Sequence, residues 1–412
     1  MKTLNYQADR THIAIRALDL LIASTCIVFL LPLVLVSLVV SILKNKPFIE
    51  HYHAVDYLNR SLRLVKVNFS AVPSIAYLFD VLNGTISICG IEISTADYVP
   101  NHQQTHTRVK AGIFSLSALH RLSGLASHNT GTLTAQTIAQ YCVKHYVLIS
   151  LKSVFNKCLY RCSDLDSPDQ FYLFGVRIDN TSLPDAVDWV CTSNPKNTTK
   201  LGFFVNVNSL NICAAKPALK IAINAADRVF ADGSGVRLGA RSKGVALRDN
   251  VNGTDLLPEL CQRARSLGLS LYLLGAEAGI AAQTAVNLAE QYPGLQIAGT
   301  HHGYFDKNGD DRMAIINDIN MASADILLIG FGSPIQEQWL LDNRDSLQTR
   351  TALAVGGLFD FYSGAISRSP LWMRELGLEW IWRLLQDPVG KCHRYVIGNP
   401  IYLYRLWLTN KA

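Results

Sequence analysis

The chain has 412 residues, enough at roughly 150 residues per domain for two or three domains with more than one buried core. Only 17% of residues are charged and the mean hydropathy is +0.16, which excludes a disordered or collagen-like chain and leaves surplus apolar content for a core or for lipid. The net charge of +6 is uneven, because residues 1–165 carry 15 Lys/Arg against 8 Asp/Glu while residues 166–412 carry 23 against 24.

The first predicted element is an apolar segment over residues 17–43. From Leu20 to Leu43 run 24 residues without a charge, more than the roughly 20 that cross a bilayer. Arg10 and Arg16 precede the run, Lys44 and Lys46 follow it, and Pro32 interrupts it. A kinked span and a re-entrant hairpin both fit basic flanks at each end and a helix breaker between them. The hairpin, with both ends cytoplasmic, is the expectation carried forward. A basic N-terminal part beside such a run points to membrane lipid as a partner and away from nucleic acid. Weakly amphipathic helical patterns follow between Leu116 and Tyr160. Nine cysteines are scattered, and the close pair Cys158 and Cys162 lacks a second pair at zinc spacing, so free thiols in a reducing cytoplasm are expected.

Three runs in this half, IRALDLLIAS with its Pro-broken apolar segment, YLFDVLNGTISICGIEI and RVKAGIFSLSAL, resemble bacterial sugar transferases that pass a phosphosugar to undecaprenyl phosphate. The likeness covers about residues 10–125. Where that family carries an adjacent Asp-Glu pair the chain has Pro73 and Ser74, and in place of Pro-Arg-Pro it has Ile91, Glu92 and Ile93. The resemblance implies that residues 1–165 form a degenerate, membrane-associated and mainly helical domain kept as an anchor.

After Ser163 the run SDLDSPDQ reads as a polar linker. Apolar, β-branched segments then alternate with helical ones: FFVNV, RVFADG, SLYLLG, DILLIGFG and ALAVGG. The alternation predicts an α/β domain with a mostly parallel, Rossmann-like sheet and helices on both faces. One helix between the second and third strands is well marked, with Thr254 or Asp255 as N-cap, Pro258 in the first turn and Gly268 as its stop. Ligands of such sheets bind beyond the carboxyl ends of the strands.

The glycines there miss a dinucleotide fingerprint, since neither Gly233, Gly235 and Gly239 nor Gly275 and Gly279 meet its spacing, and no P-loop occurs. His301-His302 and the acidic turn with Asp306, Asp310 and Asp311 do not have the pattern of a metal site. At the strand ends stand Asn206, Asp232, the Asn252-Gly253-Thr254-Asp255 turn, Gln336-Glu337 and Asp360. Polar groups gathered at one sheet edge, beside backbone donors exposed by glycine, suit a ligand bearing hydroxyls and phosphates.

The runs FGVRIDNTSLPDAV, ADGSGV, NGTDLLPEL, LYLLGAEAG, GTHHGYFD, GFGSPIQEQW, GGLFDFYSG, LGLEWIWRLLQDP and RYVIGNP closely resemble the WecG/TagA/CpsF glycosyltransferase family over about residues 172–405. The resemblance implies inverting transfer of a hexose or N-acetylhexosamine derivative from a UDP-sugar to an undecaprenyl-pyrophosphate-linked acceptor, for exopolysaccharide or surface polysaccharide. It implies no cofactor and no dedicated metal, with Asp232 as general base. Acceptor contacts are expected at Asn206, Gly233, Asn252, Thr254 and Asp255. Donor contacts are expected at Gly275, Gly330, Gly332, Pro334, Gln336 and Glu337, then at Gly356, Gly357 and Asp360, and at Arg383 and Arg394 from the tail. The chain departs from many members at Phe204, where they have Thr, at Ile335, where they have Lys, and at Val389 and Gly390, where they have paired Arg.

Residues 166–371 are thus expected to form the transferase domain, and residues 372–412 a tail that completes the site and touches the membrane. That tail holds four of the six Trp, with six Lys/Arg against three acids, a composition suited to a membrane interface. The whole predicts an enzyme on the cytoplasmic face of a bacterial inner membrane, with other polysaccharide assembly enzymes as further partners. A bifunctional enzyme whose N-terminal half still loads a phosphosugar, and a non-catalytic assembly scaffold, are the alternatives.

Overall fold

A computed structural model describes residues 2–68, 75–94, 107–125, 130–160, 166–192 and 198–409. Pro73, Ser74 and Cys162 lie outside the described residues. The chain divides into two compact units, Met1–Leu122 with Ser127–Leu159, and Ser123–Ala126 with Tyr160–Ala412.

The first unit opens on a helix, Lys2–Leu43, that runs unbroken through Pro32. This corrects the hairpin expectation. Proline removes one backbone donor, the one that would serve the carbonyl of Val28, and a ladder intact on either side carries the helix past that single lost bond. One stripe of the helix is buried, at Ile15, Asp19, Ala23, Ser37 and Ser41. The Asp19 carboxylate accepts from Ser87 Oγ at 3.0 Å, from the Ile88 N–H at 2.8 Å and from the Tyr146 hydroxyl at 2.7 Å. The unit also holds strands: β1 (Ile49–Asp56) pairs antiparallel with β2 (Ser61–Val67) and with β4 (Ile93–Ser94), while β3 (Ser87–Cys89) pairs parallel with β5 (Gly112–Phe114). Helices Ile75–Asn83, Leu116–Ser123, Thr130–Ala139 and Val143–Tyr160 complete it.

The second unit is built on an eight-stranded sheet of β6 (Gln170–Leu173), β7 (Val176–Asp179), β8 (Lys200–Val205), β9 (Arg228–Ala231), β10 (Ser270–Gly275), β11 (Gln296–His301), β12 (Ile326–Gly330) and β13 (Thr351–Ala354). Its order is β11-β10-β12-β13-β8-β9-β7-β6, parallel throughout except for the β6–β7 hairpin. The five strands expected from the sequence are all present. The edge strands β6 and β11 and the strand β7 beside β6 were not foreseen, and β11 is only half-buried, so its apolar signal is weak. Both sheet faces are buried: Leu327 and Ile329 of β12 pack in one core cluster and Ile326 and Leu328 in the other. The two-residue period of a strand assigns alternate residues to opposite faces, and a strand covered on both sides reads as a continuous apolar run. This mostly parallel sheet with helices on both faces is the fold class expected.

The helix Gly253–Leu267 has Asn252 as its N-cap, accepting from the Asp255 N–H at 2.8 Å, in place of Thr254 or Asp255. Pro258 therefore falls in the second turn, where its missing N–H frees the Thr254 carbonyl. The Tyr362 hydroxyl donates to that carbonyl at 2.8 Å. Gly268 closes the helix in the left-handed region, φ 67°, where a side chain is disfavoured.

The tail folds as helices Leu371–Glu375, Glu379–Gln386, Pro388–Cys392 and Gly398–Thr409, with a π-turn at His393–Ile397. It is fastened to the sheet unit by Arg405 Nη1 on Asn211 Oδ1 (2.8 Å), Asn211 Nδ2 on the Gly398 carbonyl (2.8 Å) and the Tyr402 hydroxyl on the Gly235 carbonyl (2.8 Å).

Candidate active site

Four neighbouring strands, β12, β13, β8 and β9, end at one cleft of about 200 Å³. The cleft lies beyond the carboxyl ends of these parallel strands, where such sheets bind ligands. Three helices start there, at Val207, Gly253 and Ile335, and their N-termini bring partial positive charge to it.

Beyond β8, Asn206 caps the helix Val207–Ala215. Its Oδ1 accepts from the Asn208 and Ser209 N–H groups at 3.0 and 3.2 Å. That capping bond fixes the amide orientation, so Nδ2 donates to Asp232 Oδ2 at 3.2 Å. Asp232 follows β9, and its own N–H donates to the Val205 carbonyl at 2.9 Å, which pins it to the sheet edge. Gly233 then turns the chain with φ 94°, a conformation that suits glycine. Burial pushes the Asp232 carboxyl above the ordinary carboxylate range, and Arg383 and Asn206 pull it back.

Beyond β12 and β13, the side-chain oxygen of Gln336 accepts from the Gly332 N–H at 3.1 Å and from the Gly356 N–H at 3.0 Å. Its amide nitrogen donates to Glu337 Oε1 at 3.0 Å, which also accepts from the Ser333 hydroxyl. Gln336 thus ties the two loops together and already satisfies the two glycine amides expected to face a diphosphate. Arg383 lies over the Phe361 ring at 4.9 Å and donates to Glu379 at 3.0 Å. Arg383 and Arg394 both line the cleft.

Of the expected residues, Asn206, Asp232, Asn252, Thr254, Gly332, Gln336, Gly356, Gly357, Arg383 and Arg394 meet on the cleft wall. Seven others do not line it. A Cβ on Gly275 would stand 2.6 Å from the Gly330 carbonyl oxygen, and one on Gly330 would stand 2.6 Å from that of Gly356. These glycines let neighbouring strand ends approach. Glu337 is fully buried behind Gln336, and Pro334 opens its helix. The Asp255 carboxylate takes Asn252 Nδ2 at 2.7 Å and pairs with Arg368. Asp360 feels Lys391 and Glu277 as its nearby charges, and Gly233 donates its N–H to Asn250.

Asn208, Ser209, Ser333 and Phe361 line the cleft and were not foreseen. The signal for the first two was present, because an Asn at a strand end followed by polar residues marks a capped first turn. Phe204, at the Thr position, also lines the cleft and packs on Phe230 with centroids 5.3 Å apart. Ile335 and Val389 are exposed. Among the described residues no three or more His, Cys, Asp or Glu side chains converge in a way that could hold a metal ion.

The model of the Glycosyl transferase WecG/TagA/CpsF family matches residues 171–412. Relatives include the N-acetylglucosaminyldiphosphoundecaprenol N-acetyl-beta-D-mannosaminyltransferase of Staphylococcus aureus strain MRSA252, 30% identical over 240 residues, which are 57% of this chain and 91% of the relative. The enzyme of the same name from strain MW2 is 28% identical over 238 residues, again 57% and 91%.

Proposed function

The chain belongs to the WecG/TagA/CpsF glycosyltransferase family, and on that premise we propose inverting transfer of a sugar from a UDP-sugar to an undecaprenyl-pyrophosphate-linked acceptor, at the cytoplasmic face of the membrane, in making exopolysaccharide or surface polysaccharide. The observation that carries this reading is the Asp232 carboxylate on the wall of a cleft that also presents Arg383 and Arg394. An acid and two cations at one sheet edge match the two needs of the reaction, proton removal from the acceptor and charge neutralisation on the leaving group.

The acceptor hydroxyl gives its proton to Asp232 as its oxygen bonds to the anomeric carbon. Asn206 holds Oδ2, which leaves Oδ1 for that hydroxyl. The bond from the anomeric carbon to the UDP oxygen breaks on the opposite face, and its electron pair leaves on the diphosphate. Arg383, Arg394 and the helix N-termini meet that growing charge. A proton affinity raised by burial makes Asp232 a stronger base than an exposed carboxylate. The names of the Staphylococcus relatives supply a first pair to test, N-acetylmannosamine as the sugar and N-acetylglucosaminyl-diphosphoundecaprenol as the acceptor.

The tail suits the same setting. Leu385, Val389, Tyr404 and Trp407 are exposed on it, and aromatic and apolar side chains on a basic segment bind at a lipid interface, where a polyprenyl-linked acceptor resides. A panel of UDP-sugars offered to the full chain with polyprenyl-diphosphate-linked monosaccharides, read by UDP release and lipid product mass, tests the proposal. Product with an N-acetylhexosamine donor is the expected result, and UDP release that never depends on the lipid acceptor rejects it.

A further inference from the structure

Two helices of the first unit are inverted relative to a water-soluble helix. Val143–Tyr160 buries Tyr146, Ile149, Ser153 and Asn156 and turns Val147, Leu148, Leu151, Val154, Phe155 and Leu159 outward, all 36–63% exposed. The spacing of three and four places these six on one face. Lys2–Leu43 repeats the pattern, with Asp19, Ser37 and Ser41 buried while Val28, Phe29, Leu35, Val39 and Ile42 are exposed. Bulky apolar groups left outside while Asp, Ser and Asn side chains share the buried face describe a surface that does not face water. The two helices touch through the Tyr146 hydroxyl on Asp19, and both contribute to one core, with Ile15, Ala23, Tyr146 and Ile149.

The occupant of this surface is set by charge and by length. Val143–Tyr160 carries Lys144 and Lys152 and no acid, its third lysine, Lys157, lying over the Phe114 ring, and Lys44 and Lys46 follow the first helix, a complement to anionic headgroups. By length and composition Arg10–Leu43 could cross a bilayer. Its packing argues otherwise. Leu30 and Val34 pack against Val65 and Val67 of β2 and against Ile75 and Ala76, and the β1–β2 hairpin carries exposed Glu50, Arg63 and Lys66. A crossing helix would draw that hairpin, with its charges and open sheet edge, into hydrocarbon, where neither is tolerated.

We propose that the outward faces of helices Lys2–Leu43 and Val143–Tyr160 together rest in one leaflet of a membrane, without crossing it, with Lys144 and Lys152 of the second helix at the headgroups. This anchor does not depend on the transfer reaction proposed above. In the full chain, Leu151→Glu with Phe155→Glu lowers partition onto phosphatidylethanolamine–phosphatidylglycerol vesicles by about tenfold or more, and the Ala pair lowers it less, as buried apolar area is lost. Both pairs lie on the outer face and leave the unfolding temperature nearly unchanged. Unchanged partition by the Glu pair overturns the proposal, as does a change of oligomeric state alone, which identifies a second copy as the occupant. In membrane vesicles, epitope tags at the N-terminus and after Lys46 are removed by protease from the same side, and removal from opposite sides overturns the one-leaflet arrangement.

Discussion

Asp232 is held at its post by two bonds that belong to the fold: its N–H on the Val205 carbonyl and its Oδ2 under Asn206 Nδ2. Asp232→Asn keeps size and reach but cannot take a proton, so turnover falls by roughly 10²–10⁴ while donor binding is nearly unchanged. The proposed base works only when ionised, and burial holds its carboxyl above the ordinary carboxylate range. The rate therefore rises with pH along a limb displaced upward from that of an ordinary carboxylate, and is lost as pH falls through it. A kcat/KM profile for full-length protein reads that limb. Arg383→Ala acts differently, because it removes charge proposed to meet the diphosphate in ground and transition states alike, so KM for the donor is expected to rise along with the fall in kcat. At this scale the sequence distinguished polar strand-end residues from core residues, and ten of the expected side chains and glycines do meet. What it could not distinguish was where a glycine's open space points. Gly275 and Gly330 stand at strand ends just as Gly332 does, yet their missing side chains make room for neighbouring backbone. Asp255 and Asn252 share a turn, but Arg368, more than a hundred residues later, draws the Asp255 carboxylate into an ion pair.

The helix Gly253–Leu267 tolerates Pro258 because Tyr362 satisfies the carbonyl that the proline leaves without a donor. Tyr362→Phe removes that bond and lowers stability by about 1 kcal/mol, measured as a fall in thermal midpoint. In the first unit Asp80 is buried, accepts the Val65 N–H at 3.0 Å, and has its carboxyl raised to about 6 by burial. A carboxyl raised on folding binds its proton more tightly in the native state. Its stability contribution is present below its unfolded value and fades as pH rises from about 4 to about 6. Asp80→Asn removes this dependence, so the difference in thermal midpoint between variant and wild type changes across that window, and a constant difference rejects the assignment. The central strands were legible because both faces of each are covered. β11 was not, since half-exposed strands carry mixed residues, and the helix Lys2–Leu43 was misjudged because proline is a local signal whereas helix continuity is cooperative.

Among the described residues, the tail and two helices of the first unit each expose apolar side chains, on a chain whose residues 171–412 match a glycosyltransferase family. Composition foresaw the apolar excess and its uneven charge, but not that a helix long enough to cross a bilayer packs along a charged hairpin, because that depends on contacts between β2 and the helix rather than on either alone. The proposed reaction moves a sugar in the cleft from a UDP-sugar to a polyprenyl-diphosphate-linked acceptor, with Asp232 as its base. The most direct measurement compares wild type and Asp232→Asn full-length protein in vesicles containing N-acetylglucosaminyl-diphosphoundecaprenol, across a panel of UDP-sugars, by mass and anomeric configuration of the lipid product. The expected result is one added sugar of inverted configuration for each UDP released, with wild-type donor affinity but little product from Asp232→Asn. Retained configuration, or equal product from the two proteins, contradicts it.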